Sequence, residues 1–212
     1  MYSLPHFKAA NEEEVFAFMR AHPFITLCGV TADGKPVATH VPVLFDERDG
    51  KLFLQAHIMR RQEHSIAFEQ NPNVLAIFSG AHTYVSASWY SKPNTAGTWN
   101  YQAVHVRGTL KFLDDAGLHN LLVKLTDTFE NNPHSPALVK HMEDGYVTGL
   151  MKAIIAFDIE ITGIDHVFKL SQNRDEKSYD NIMEHLGHTD ADGKIVAERM
   201  KHNKHNVFGD EK

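Results

Sequence analysis

Three apolar runs punctuated by Asp-Gly turns constrain the fold of this chain more than any other feature. FITLCGV (24–30), PVATHVPVLF (36–45) and KLFLQAH (51–57) are separated by TADGK and DERDG. A tight turn between two strands needs positive φ, which glycine and aspartate tolerate, so these pairs read as hairpins. The strand region therefore begins as an antiparallel meander. Pro42 inside the second run predicts a bulge or an edge, because proline cannot donate to a ladder. NVLAIFSG and HTYVSASWY read as two more strands joined at Gly80-Ala81. TWNYQAVHVRGTLKFL reads as one long strand with Trp99, Tyr101, Ala103, His105 and Arg107 on one face, and KAIIAFDIEI as another strand.

Helices gather around this sheet. Asn11 caps a helix whose first turn is Glu12-Glu13-Glu14, with Val15, Phe18 and Met19 on one face. MRRQEHSIAFEQ (59–70) reads as a short helix closed by Asn71-Pro72. Asp114–Glu130 is amphipathic, with Leu118, Leu121, Leu122, Leu125 and Phe129 at helical spacing. Pro133 and Pro136 end it and a short helix follows. Two more helices are expected at about 175–186 and 191–200, with a ragged end beyond. The expectation is an α+β protein: an antiparallel β-barrel with peripheral and C-terminal helices. Residues 1–170 would be the barrel, and 171–212 a helical extension of the same domain.

Composition narrows the function classes. Cys28 is the single cysteine, so no disulfide framework forms within one chain, as suits a reducing cytoplasm. No basic-then-apolar leader and no run of about 20 apolar residues is present, so a soluble cytoplasmic protein is expected. The net charge of −6 is the wrong sign for gripping a nucleic-acid backbone. There is no Gly-rich phosphate loop, no HExxH and no GxSxG. The pairs His185/His188 and His202/His205 have helical ligand spacing but no accompanying cluster, so no metal site is assigned.

Two features remain. Arg60-Arg61 sits where a strand gives way to a helix, and reads either as a solvated pair or as an anion site. Ser88–Gly108 gathers Trp89, Tyr90, Trp99 and Tyr101, which suits a packed aromatic hairpin or a planar ligand with polar edges.

PVATHVPVLF, AHIMRR (56–61), SWY with TWNYQAVHVRG, and KLSQNR (169–174) together resemble the PaiB family. These are FMN-binding proteins named as negative regulators of bacterial sporulation and protease synthesis. The resemblance runs to about residue 200. It implies a split β-barrel like that of the pyridoxamine-phosphate oxidases, forming a homodimer with FMN at the subunit interface. Arg60 and Arg61 would hold the FMN phosphate, with Gln55 and His57 lining the approach. Met59 stands where the oxidases carry serine. Backbone groups around Thr39, His40 and Val41 would face the isoalloxazine edge, and Trp99 or Tyr101 would pack on the flavin. Lys169, Gln172 and Arg174 would close the cleft or the dimer seam; a capping loop before the last helices is the plainer reading, and the two are compatible. The resemblance implies an FMN-binding protein, either a flavin-dependent oxidoreductase or a regulator. The alternatives are a repressor without enzymatic activity and a haem-binding split barrel. The acidic charge argues against direct DNA binding.

Overall fold

Seven strands form one antiparallel sheet in the order β2-β1-β5-β6-β7-β4-β3. They are β1 (Phe24–Val30), β2 (Pro36–Pro42), β3 (Leu44–Arg48), β4 (Lys51–Met59), β5 (Asn73–Val85), β6 (Thr98–Phe112) and β7 (Ile154–Lys169). Six α-helices accompany them among the described residues: α1 (Glu12–Ala21), α2 (Glu63–Gln70), α3 (Asp115–Glu130), α4 (Asp144–Met151), α5 (Glu176–Leu186) and α6 (Ala191–Phe208). The structure, a computed structural model, describes residues 1, 2 and 4–209. The chain divides into two compact units. One comprises Pro23–Phe78 and His105–Ile164; the other comprises Met1–His22, Ser79–Val104 and the chain from Asp165. We call them the sheet unit and the helical unit.

In the sheet unit, Pro42 does more than bend an edge. The run 36–45 is not one strand but two, lying at opposite ends of the strand order. β2 pairs with β1 up to Pro42 and β3 pairs with β4 from Leu44. Between them the Val43 N–H donates to the Pro23 carbonyl. Proline has no N–H, so the ladder stops where the chain must leave it. Asp49 and Gly50, at φ 53° and 72°, make the two-residue β3–β4 turn. β2 also touches β4, as a barrel requires. Ile25, Leu27, Leu54, Ala76, Phe157 and Ile159 are fully buried. Leu118, Leu121 and Leu125 of α3 pack with Ala156 and bury the predicted face, whereas Phe129, one turn further, is exposed.

In the helical unit, α5 and α6 share a core of Val85, Leu170, Tyr179, Ile182, Leu186, Val196, Ala197 and Met200. Burial of that many large side chains is what fixes two otherwise polar helices. The buried Tyr179 hydroxyl donates to the Met200 carbonyl at 2.9 Å, and its ring meets Phe208 edge-on at 5.2 Å. That contact carries α6 to Phe208, past the expected end near Met200. The expected break at Gly80-Ala81 is absent, since β5 runs through it. Gly80 is there for packing: a Cβ would come within 2.8 Å of the Phe18 ring on α1. The Asn11 side chain caps α1 by accepting from the Glu14 N–H at 2.9 Å.

Candidate functional site

The β4-to-α2 turn builds a cationic corner in the sheet unit. β4 stays paired with β7 as far as Met59, opposite Ile154, and the Arg60 N–H extends the pairing to the Ala153 carbonyl at 2.8 Å. The helix therefore cannot start at Met59 as expected. Arg61 then takes the left-handed conformation, φ 60°, and reverses the chain. Gln62 and Ser65 form a neutral capping box: the Gln62 N–H donates to Ser65 Oγ at 2.9 Å, and that hydroxyl donates to the Gln62 carbonyl at 2.9 Å. The result is a cavity of about 270 Å³ lined by Arg60, Arg61, Ser65, Ile66, Glu69, Phe112 and Ile155. Two guanidiniums stand just before the N-terminus of a helix, where amide dipoles also favour an anion. The Arg60 guanidinium lies 3.6 Å from the highly exposed Asp115 carboxylate, a loose surface pair that solvent screens.

The other expected residues of this unit are placed differently. Gln55 is buried and committed to a polar network. Its amide donates to Asp158 at 2.8 Å and accepts from Lys124 at 3.1 Å, while Arg48 donates to Asp158 at 2.5 Å. His57 Nδ1 is buried with no hydrogen-bond partner. Burial holds that imidazole's pKa below its ordinary value, so it is neutral at pH 7. On β2, Val41 is buried, Thr39 half-buried and His40 exposed, its ring 6.2 Å from that of Phe24.

In the helical unit, Trp99 is exposed, with Tyr84 edge-on at 6.0 Å and His82 at 6.1 Å. Tyr101 is half-buried, and burial raises its phenol pKa. The Lys169 ammonium donates to the Trp99 carbonyl at 2.8 Å and to the Thr98 hydroxyl. Burial, then the neighbouring Arg174, pull its pKa down. Both ends of the Gln172 amide serve its own loop: the Leu170 N–H donates to it at 2.7 Å and it donates to the Phe168 carbonyl at 2.5 Å. The Arg174 guanidinium lies over the Tyr90 ring, 4.2 Å from its centroid. Trp89 stacks on His185 at 5.0 Å. Among the described residues no group of three or more His, Cys, Asp and Glu could hold a metal ion, and no helix is long and apolar enough to cross a membrane.

Residues 1–163 match the family described as "Putative FMN-binding domain". The chain belongs to this family. A relative within reach is "Protease synthase and sporulation protein PAI 2" of Bacillus subtilis (strain 168), 35% identical over 202 residues, 95% of this chain and 97% of that one. The resemblance to PaiB proteins is therefore real across the chain. Two solved structures share the fold. The FAD and heme binding protein from Mycobacterium smegmatis has TM-score 0.55 and 17% identity, covering 76% of this chain and 72% of its own. The flavocytochrome Anf3 from Azotobacter vinelandii has TM-score 0.52 and 16% identity, covering 81% and 74%. The split-barrel expectation holds in this member of the FMN-binding-domain family.

Sequence reasoning did not find Ser65, Ile66, Glu69, Phe112 and Ile155 on the arginine cavity, or Tyr90 under Arg174. Ser65 was detectable, three residues after Gln62 at capping spacing. Ile155 faces Ile58 only through the β4–β7 register, which joins residues far apart in the chain.

Proposed function

We propose that this protein binds FMN, with the phosphate held by Arg60 and Arg61 just before α2. The observation that carries the reading is that both arginines open on one cavity whose wall is apolar at Ile66, Phe112 and Ile155. Charge-assisted hydrogen bonds suit the phosphate, and the apolar wall suits the chain or ring beside it. The residues fit the group. The Ser65 hydroxyl on the lining is committed to the Gln62 backbone, so the two guanidiniums carry the phosphate contacts. Glu69 keeps the cavity from being uniformly positive, which favours one phosphate over a polyanion. Bound FMN would supply electron transfer, and these residues bind and orient it.

At about 270 Å³ the cavity falls short of the roughly 300–1,000 Å³ typical of pockets that bury a drug-sized ligand. A second copy of the chain would provide the remaining wall, so we propose a homodimer with flavin at the seam. The relative from Bacillus is named for protease synthesis and sporulation. For this chain a regulatory role would be indirect, through a small molecule or a protein partner, because a net charge of −6 opposes binding to a phosphodiester backbone.

The test is an absorbance spectrum after adding FMN and desalting. Wild-type protein is expected to retain flavin stoichiometrically, and the double variant Arg60→Ala/Arg61→Ala to lose it. A double variant that holds FMN as tightly as wild type overturns the site. A Soret band after adding haem, with no flavin retained, favours the haem alternative. Oxidation of reduced nicotinamide by the flavin-loaded protein separates an enzyme from a sensor.

A further inference from the structure

The loop from Lys169 to Arg174 holds two cations that do not line the Arg60/Arg61 cavity. Both are half-buried. Lys169 bonds only to neutral oxygens, the Trp99 carbonyl and the Thr98 hydroxyl. Arg174 has its guanidinium over Tyr90 and an Nη2–hydroxyl contact of 3.4 Å to the same residue. Arg174 Nε is buried without an acceptor. Neither cation makes an ion pair among the described residues. The adjacent carboxylate, Asp175, is engaged elsewhere: it accepts from the Ser178 N–H at 3.0 Å, the Ser178 hydroxyl at 2.8 Å and the Ser91 hydroxyl at 2.9 Å.

Two unpaired cations in partly buried positions are unfavourable, and an orphaned guanidinium N–H adds to the penalty. A flexible loop would relieve this by swinging both side chains into water. This loop is fixed. Ser171 is held at φ 64°, a left-handed conformation that is costly outside glycine. Its hydroxyl donates to the buried Asn100 carbonyl at 3.0 Å, and the Asn100 amide is anchored on Met200 Sδ at 3.5 Å. Gln172 bonds the loop to itself at both ends of its amide. The surrounding structure thus holds the two cations in place beside aromatic rings, Lys169 at 5.9 Å from the Phe7 centroid and Arg174 over Tyr90, and gives neither an anionic partner among the described residues.

We propose that Lys169, Arg174 and Tyr90 form a binding site for a phosphate monoester in the helical unit. A dianionic phosphate matches two cations where a carboxylate supplies a single charge. The guanidinium edge offers a planar fork to two oxygens, the ammonium a point charge to a third, and Tyr90 a hydroxyl. The proposal goes beyond the flavin reading and does not depend on it.

The test is calorimetric titration of the full chain with inorganic phosphate, with chloride holding ionic strength constant. Wild type, Lys169→Met, Arg174→Gln and Arg60→Ala/Arg61→Ala are compared, each checked for native circular dichroism. Lys169→Met and Arg174→Gln are expected to weaken one phosphate site about tenfold or more, the range of one charge-assisted hydrogen bond. The Arg60/Arg61 variant is expected to keep that site at wild-type affinity. Phosphate binding unchanged in folded Lys169→Met or Arg174→Gln, or abolished in Arg60→Ala/Arg61→Ala, overturns the proposal. Should Arg174→Gln not fold, Arg174→Lys, which keeps the charge without the fork, replaces it and is expected to weaken the same site. Competition in the Arg60/Arg61 variant then identifies the source. Displacement of phosphate by FMN but not by riboflavin names the flavin's own phosphate, and displacement by neither names a separate ester. Flavin retention by wild type is read independently, so the two readings fail separately.

Discussion

The turns entering α2 and α5 set the same problem and answer it differently. Each follows a strand, carries two cations, and contains one non-glycine residue in the left-handed region, Arg61 or Ser171. The first is held by backbone. The strand pairing extends through Arg60 to the Ala153 carbonyl, and a neutral capping box starts the helix. Its arginine side chains carry little structural duty and are free to meet a ligand. The second has one backbone bond, from the Arg174 N–H to the Ser171 carbonyl at 3.0 Å, and is otherwise held by side chains: Ser171 on Asn100, Gln172 on its own loop, and Asp175 on Ser178 and Ser91. A backbone-held turn separates binding from stability, whereas a side-chain-held turn joins them.

That contrast breaks at its weakest point if the second turn tolerates loss of its anchor. Asn100→Ala removes the buried acceptor of the Ser171 hydroxyl and the amide on Met200, and is expected to lower stability by about 1–3 kcal/mol. Urea denaturation measures it, and an unchanged midpoint shows that the loop is held some other way. At the first turn the prediction reverses. Arg61→Gly relieves a left-handed residue and is expected to leave stability unchanged or raise it by up to about 1 kcal/mol, while flavin retention falls. A variant that loses both together means the arginine supports the fold, and the two turns are less different than drawn.

The smallest effect is in acid. The Asp175 carboxyl is held at about 2, first by the Ser178 N–H and hydroxyl and then by the Ser91 hydroxyl. A folded pKa below the unfolded one adds stability that is present above the unfolded value near 3.8 and is lost as pH falls toward 2. Wild type should therefore lose melting temperature between pH 4 and pH 2, and Asp175→Asn should flatten that part of the profile. Equal slopes in both proteins remove Asp175 from the account. The capping box of α2 has no carboxylate at its cap and should contribute nothing in that window.

Much of this was legible in the sequence, for reasons that differ by turn. Arg60-Arg61 stood out because two adjacent cations divide an apolar, strand-like stretch from a helical one. The helix start was read four residues early, because nothing near Met59 reveals that a strand beginning almost a hundred residues later extends its pairing there. KLSQNR stood out through family resemblance, but its supports did not. Asn100 and Tyr90 lie 71 and 84 residues away from the residues they meet. Pro42 was correctly read as trouble for a ladder, yet a missing donor does not say where the chain goes next. Gly80 was read as a turn because glycine usually marks one, whereas here it makes room for Phe18.

The detour at Pro42 also bears on how the sheet assembles. β1–β2 and β3–β4 are local hairpins, yet they occupy the two ends of the strand order, and the three central strands all come later in the chain. Local pairings close fastest, so both rims can form while the middle is still missing. During synthesis the early chain would carry two hairpins with open inner edges until β5, β6 and finally β7 fill the gap. Until that last strand arrives, those edges are the places where a second nascent chain could pair instead.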